Sequence, residues 1–365
     1  MDGSPNTSSD EIFPKNDTQD RLALNTDLTS AIIAAVMVFT IFGNALVLFA
    51  FYVQPHLRKV KYFPIISLAL ADVLCAVTAM PLYITKKSAA SEDIDSRLVC
   101  DLYRFSYFFT EYASIMSLMA ISIERFLNIK YPLKYRNSVR ARVMICVLVA
   151  CWVEALIVST MPFYWRNEKD MECRNSPTST WSLMVISVNV LTPFVFMFTS
   201  HCYIYWKTLS EFGHNEKYSS TPNHLRRKTV IRAEKWKIER KATISFSVVI
   251  GVFIICWGPS TFYYFFQSIH PQWFDGSFQR HKDIFGAMVK ILTFCNSFMN
   301  PVIYFWLNME FRNAFVRVLK REWQARSRAG TANSLTMMSL GSVELKKTKK
   351  SEYQILIFTS IKSHG

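Results

Sequence analysis

Glycine and proline are scarce in this chain of 365 residues, at 10 and 13, and charged side chains make up only 19% of it. Those shortages exclude collagen-like and disordered chains, which need glycine and proline or a high charge density. No internal repeat or low-complexity tract is present. No nucleophile–base set and no glycine-rich phosphate loop occurs, so the expectation is a protein that is not an enzyme and carries no cofactor. No signal peptide precedes the first apolar run, which is expected to act as its own insertion signal.

What is abundant is apolar surface: 51% of residues are hydrophobic, with 29 Phe, 16 Tyr and 9 Trp, yet the net charge is +15. A basic chain suits nucleic acid or one side of a membrane, and the placement of the charges decides between them. Seven long apolar runs fall at about 29–53, 62–85, 105–129, 143–165, 181–206, 242–269 and 284–307. As helices they are about 35–42 Å long, enough to cross a hydrocarbon core of about 30 Å with some tilt. The fold class is therefore an all-α membrane protein, a bundle of seven transmembrane helices.

Loop charges set the orientation. Residues 1–29 hold six acids (Asp2, Asp10, Glu11, Asp17, Asp20, Asp27) against Lys15 and Arg21, and the loops after spans two, four and six are neutral. The loops after spans one, three and five, together with the tail, carry the basic excess. The positive-inside bias places them in the cytoplasm and the N-terminus outside. The basic excess is then a topology signal, and no nucleic-acid partner is expected. The sequons at Asn6 and Asn16 fall in the outer segment and are candidate glycosylation sites. Cys100 and Cys173 are both expected outside, where a disulfide between them is chemically permitted. The expected organisation is an extracellular N-terminus (1–29), a membrane domain (30–307), a short helix (308–320) and a disordered cytoplasmic tail (321–365). Segment 207–240 reads as a polar, basic loop. The apolar stretch at 353–361 has no account.

Charged or amide side chains at membrane depth are costly and read first as functional. Here they are Asn44, Asp72, Glu111, Glu154, Lys290, Asn296 and Asn300, with Ser114 and Ser297 nearby. Pro81, Pro162, Pro193, Pro259 and Pro301 are expected to kink their helices.

The motifs on these spans, taken in order, are Gly43-Asn44, Leu70-Ala71-Asp72, Cys100 followed 24 residues later by Glu124-Arg125-Phe126, Trp152, Pro193, Phe253 with Cys256-Trp257-Gly258-Pro259, and Asn300-Pro301-Val302-Ile303-Tyr304. With them the chain resembles the rhodopsin-like (class A) G-protein-coupled receptors from about residue 30 to 319. Its scaffold motifs are most similar to biogenic-amine receptors of the histamine and muscarinic branch. Residues 310–315 look like the family's amphipathic eighth helix.

The resemblance implies a plasma-membrane receptor for a small extracellular ligand, coupled to heterotrimeric G proteins, with arrestin, receptor kinases and membrane lipid as further partners. Ser334, Ser339 and Ser342 are candidate kinase sites, and the basic stretches 136–142 and 226–241 would face anionic lipid. It implies that Arg125 is held between Glu124 and Glu239 at rest, each contact being about 4 kcal/mol at about 4 Å before desolvation costs. It implies a sodium pocket at Asp72, Ser114, Asn296, Ser297 and Asn300; a hydrogen-bonded cluster without the ion is the alternative. It implies that Tyr304 swings inward on activation, although His201 stands where the usual partner tyrosine would be. Trp257 matches the family's ligand-sensing tryptophan, and Phe126 replaces a tyrosine.

The ligand pocket departs from the amine pattern. Tyr107 stands in place of the amine-binding aspartate, Ser260-Thr261 in place of an aromatic pair, and Phe294 in place of a tyrosine. Phe294 also takes the place of an opsin's retinal lysine, so light sensing is not expected. Glu111, one turn below Tyr107 on the same face, is the candidate counter-ion, with Tyr107, Trp257 and Tyr264 as cation–π walls. Alternatively Glu111 pairs with Lys290 or is uncharged, and Lys290 is a candidate partner for an acidic ligand group. A receptor for a peptide or other non-amine ligand, a non-signalling receptor and, last, a transporter or channel are the competing readings.

Overall fold

A computed structural model of the chain describes residues 15–88, 96–130, 139–164, 183–217, 223–274 and 282–320, with side chains over a somewhat narrower set. Among the described residues every regular element is helical. Span one is Lys15–Val53; span two is Phe63–Leu74, a π-helical turn Cys75–Ala79 and Met80–Ser88; span three is Ser96–Lys130. Span four is Val139–Tyr164, span five a π-helical turn Ile186–Leu191 leading into Thr192–Lys217, span six Asn223–Ile269 and span seven Lys282–Leu307.

Five of these carry stretches apolar enough to cross a membrane on composition alone: Thr26–Val53, Val60–Lys87, Ala141–Tyr164, Leu183–Lys207 and Ser247–Ile269. Spans three and seven are as regular but more polar, and their polar residues turn inward. Glu111, Ser114, Ser117, Thr293, Asn296, Ser297 and Asn300 are all buried, while Phe39, Phe42, Val149, Val195 and Ile255 are exposed. Polar inside and apolar outside inverts the soluble pattern and suits a hydrocarbon solvent.

The helices run past the apolar stretches. Span one begins at Lys15, and spans five and six reach Lys217 and Asn223, so most of the expected loop 207–240 is helical. Its Lys, Arg, Glu, Ala and Leu residues are good helix formers. Hydropathy marks where the membrane ends, not where the helix does.

Two of the expected proline kinks are π turns instead. Pro81 and Pro193 lack the N–H that an α-helix needs and crowd the carbonyl four residues back. In both cases the residue before the proline bonds five back: the Met80 N–H donates to the Cys75 carbonyl and the Thr192 N–H to that of Ser187. Pro162, Pro259 and Pro301 lie inside continuous helices.

Span three is the hub, touching spans two, four, five and six. The Trp152 indole donates to Ser67 at 2.9 Å, and Ser67 shares a 2.8 Å hydrogen bond with Ser117, tying spans four, two and three. Spans one and seven meet at Gly43, where a Cβ would lie 2.9 Å from the Pro301 ring. Only glycine fits that approach.

By contacts the chain divides into two compact units, Met1–Arg312 and Asn313–Gly365, and the bundle belongs to the first. Residues 309–320 are helical after a break at Asn308. The Asn308 Oδ1 accepts from the N–H groups of Glu310 (3.0 Å) and Phe311 (3.4 Å), which starts a new helix where span seven ends.

Candidate functional site

The buried polar residues gather at three levels. At one end, Tyr83 (span two), Tyr103 and Tyr107 (span three) and Phe294 (span seven) form an aromatic cluster. Ring centroids are 5.5 Å apart for Tyr83–Tyr103, 5.7 Å for Tyr103–Tyr107 and 5.9 Å for Tyr107–Phe294. Spacing of four along span three stacks Tyr103, Tyr107 and Glu111 on one face, one turn apart.

Lys290 enters this cluster from span seven. Its Nζ sits 3.6 Å from the Tyr107 ring centroid and 5.9 Å from that of Tyr264 on span six, a cation held by aromatic faces. Its residue is 9% exposed, whereas Tyr264 is 37% exposed. Glu111 is 1% exposed; one carboxylate oxygen accepts from the Cys75 thiol at 3.6 Å, and the other has no hydrogen-bond partner. Lys290 and Glu111 feel each other electrostatically, but no ion pair joins them. Trp257 is buried and packs, tilted, against Phe253 at 5.9 Å, and Phe253 meets Phe194 of span five at 4.9 Å.

The middle level centres on Asp72. Its carboxylate accepts from Ser114 at 3.2 Å and from the Asn300 amide at 2.9 Å. The Asn44 amide donates to the Ser297 carbonyl at 3.0 Å, joining spans one and seven. Asn296 is buried with neither amide atom hydrogen-bonded. A carboxylate, hydroxyls and amide oxygens are hard ligands, and the unpartnered Asn296 amide adds one more, so these residues fit a small hard cation. Among the described residues no cluster of three or more His, Cys, Asp or Glu is placed to hold a metal.

The third level surrounds Arg125. Its Nε lies 3.3 Å from Glu124 Oε2 with both side chains almost wholly buried, a charge contact without hydrogen-bond alignment. Arg125 Nη2 also donates to the Lys61 carbonyl at 3.4 Å, and Asn128 donates to the other Glu124 oxygen at 2.6 Å. Tyr304 is buried with its ring stacked on Phe311 at 5.5 Å and its hydroxyl without a partner. His201 joins three spans: Nε2 is 3.3 Å from Ser122 of span three and Nδ1 is 2.9 Å from Ser247 of span six. Tyr203 packs on Phe126 at 5.2 Å.

Several expected sites lie outside what is described. Asn6 and Cys173 are outside the described residues, and Asn16 and Glu239 lie in described helices without described side chains. Cys100 is disulfide-bonded. Tyr83, Tyr103, Cys75 and the His201 bridge were missed. Two four-residue steps back from Glu111 were the signal for Tyr103, and a missing tyrosine was the one hint at His201; nothing local signalled Tyr83 or Cys75, because their partners come from other spans.

Residues 43–304 match the family described as 7 transmembrane receptor (rhodopsin family). Among similar proteins are alpha-1A adrenergic receptors. The Oryzias latipes protein is 27% identical over 319 residues, covering 79% of this chain and 66% of its own length. The Rattus norvegicus protein is 28% identical over 326 residues, covering 80% and 68%. The Homo sapiens protein is 27% identical over 335 residues, covering 83% and 70%. The chain thus spans about two-thirds of these relatives. They are biogenic-amine relatives.

Proposed function

The chain belongs to the rhodopsin family of seven-transmembrane receptors, and from that premise we propose that it binds a small amine at Glu111 and activates heterotrimeric G proteins. It is a multi-pass membrane receptor and not an enzyme. The observation that carries the ligand reading is a carboxylate 1% exposed, with one oxygen unpartnered, beneath a wall of aromatic rings. A ligand ammonium answers that oxygen, and the rings exclude the water that would compete.

The N-terminus faces outside, by the loop charges, and the Lys290 end is the ligand's entrance. Ligand binding shifts an equilibrium between two packings of the bundle. Near Trp257 and Pro259 span six takes up the change; at the opposite end Arg125 leaves Glu124, and span six tilts outward to admit the G protein. His201, bonded to Ser122 and Ser247, ties spans three, five and six in the resting arrangement. Asp72, Ser114, Asn296, Ser297 and Asn300 would hold a sodium ion, which supplies positive charge to balance the Asp72 carboxylate. Arrestin, receptor kinases and anionic lipid are further partners of the basic segments and tail serines.

Ligand-stimulated GTP exchange in membranes tests this reading. An amine panel should raise exchange, and Glu111→Gln should weaken the response at least about thirtyfold by removing the counter-ion. Unchanged potency in that variant would remove Glu111 from ligand recognition, and a flat response across amines, peptides and lipids would overturn receptor signalling.

A further inference from the structure

Two ionisable groups of opposite kind, Lys290 and Glu111, are buried at the Lys290 end, and among the described residues neither has a counter-ion in contact. Lys290 is held by the faces of Tyr107 and Tyr264 and makes no ion pair among the described residues. Glu111 keeps one oxygen without a partner and shares the other only with a thiol, a weak donor. Buried charge left this way is costly, and such residues persist where something outside the chain completes them.

Lys290 also changes what the aromatic wall can accept. The Tyr107 face, available for a ligand ammonium, already has one 3.6 Å from its centroid. Lys86 places a second ammonium 5.3 Å from the neighbouring Tyr103 ring. The Tyr103 hydroxyl is buried without a hydrogen-bond partner. Among the described residues, a plain monoamine entering here meets two resident ammonium groups, Lys290 and Lys86, against one acid, Glu111, and like charges repel strongly where water is scarce. A negative group meets the opposite: two ammonium groups and a free phenolic donor.

We propose that the ligand is a zwitterion, an amino acid or close analogue, whose ammonium meets Glu111 and whose carboxylate meets Lys290. This rests on the amine reading for Glu111 and adds the second charge. Glu111 lies about one helical turn below Tyr107, about 6 Å along the axis, so groups a few bonds apart reach from one to the other. Lys290 is then the residue that discriminates an amino acid from its decarboxylated amine.

The test uses the full chain in lipid nanodiscs. Matched pairs differing by one carboxylate are the probes: tyrosine and tyramine, tryptophan and tryptamine, histidine and histamine. Thermal stabilisation and GTP exchange are both read. At least one carboxylated member should bind better than its partner by about tenfold or more, a modest return for one buried charge pair. Lys290→Gln should erase or reverse that preference, and Lys290→Arg should retain it, which also reports whether position 290 tolerates change without unfolding. A preference for the plain amine throughout, the same preference in Lys290→Gln, or no carboxylated probe that binds each overturns the proposal. The two readings fail separately. If Glu111→Gln leaves both members of a pair unaffected, the ammonium contact falls; if Lys290→Gln alone is silent, amine binding at Glu111 stands and the carboxylate contact falls.

Discussion

The two ends of the bundle treat buried charge in opposite ways. Around Arg125, charge is met within the chain: guanidinium to Glu124, carboxylate to Asn128, with Asp72 further along accepting from Ser114 and Asn300. Around Lys290, an ammonium rests on aromatic rings and a carboxylate oxygen has no partner. A charge met internally holds one arrangement of the helices; a charge left unmet favours whatever ligand supplies its complement. Under the proposed function, the Arg125 end holds the resting state and the Lys290 end receives the ligand.

The sharpest way to break this contrast is to remove one charge from each end. Arg125→Ala strands a buried Glu124 and should cost about 3–5 kcal/mol of stability, as breaking a buried pair does. Glu111→Gln removes a carboxylate that no described cation pairs in contact, and its amide oxygen still accepts from the Cys75 thiol, so it should leave ligand-free stability unchanged or slightly raised. Thermal unfolding in nanodiscs measures both, and equal losses would erase the distinction.

Gly43→Ala is the next largest. Its Cβ would sit 2.9 Å from the Pro301 ring, and overpacking of that kind costs about 1–3 kcal/mol. The thermal midpoint should fall while the Glu111 contacts stay intact, so agonist affinity changes little. At the middle level, Asp72→Asn removes the one carboxylate of the proposed sodium site. Agonist affinity measured across rising sodium chloride, against a choline chloride control, should lose any sodium-specific component. A sodium effect that survives the substitution would place the ion elsewhere.

The smallest effect is at the surface. Glu310 accepts from Lys61 at 2.9 Å and Lys59 at 3.1 Å. Burial alone would raise its carboxyl, but the two lysines outweigh that and hold it below the usual 4.5. A depressed carboxyl stabilises the fold fully above its unfolded value and loses that contribution as pH falls through the lower, folded one. Because the pair is partly solvated, Glu310→Gln should cost under about 1 kcal/mol near neutrality, with the difference from wild type vanishing in acid. A thermal-shift series from pH 7 to pH 3 reads it.

Much of this arrangement was legible in the chain. Length and apolarity placed every span, and spacing of four along span three put Tyr107 above Glu111. Helix ends were less legible, since residues 207–217 and 223–240 are polar yet helical. The π turns before Pro81 and Pro193 were hidden for a different reason: the sequence shows a missing N–H, while the helix chooses between bending and widening in response to its neighbours. The His201 bridge was visible only as a missing tyrosine, because Ser122 and Ser247 are brought to it from other helices.

By itself the sequence pointed to seven helices of membrane-spanning length, set the basic loops apart from the acidic and neutral ones, and marked the few polar residues that the bilayer must tolerate. Those follow from the cost of moving charge and backbone out of water, which each segment bears on its own account. Tertiary structure alone decided which of those polar residues meet. Asp72 found its partners on spans three and seven, whereas Lys290 turned to the faces of Tyr107 and Tyr264 and left Glu111 without an ion pair among the described residues. The reason is that pairing depends on how whole helices rotate and approach one another, and in this bundle that is set by contacts such as Gly43 against Pro301 and Trp152 on Ser67.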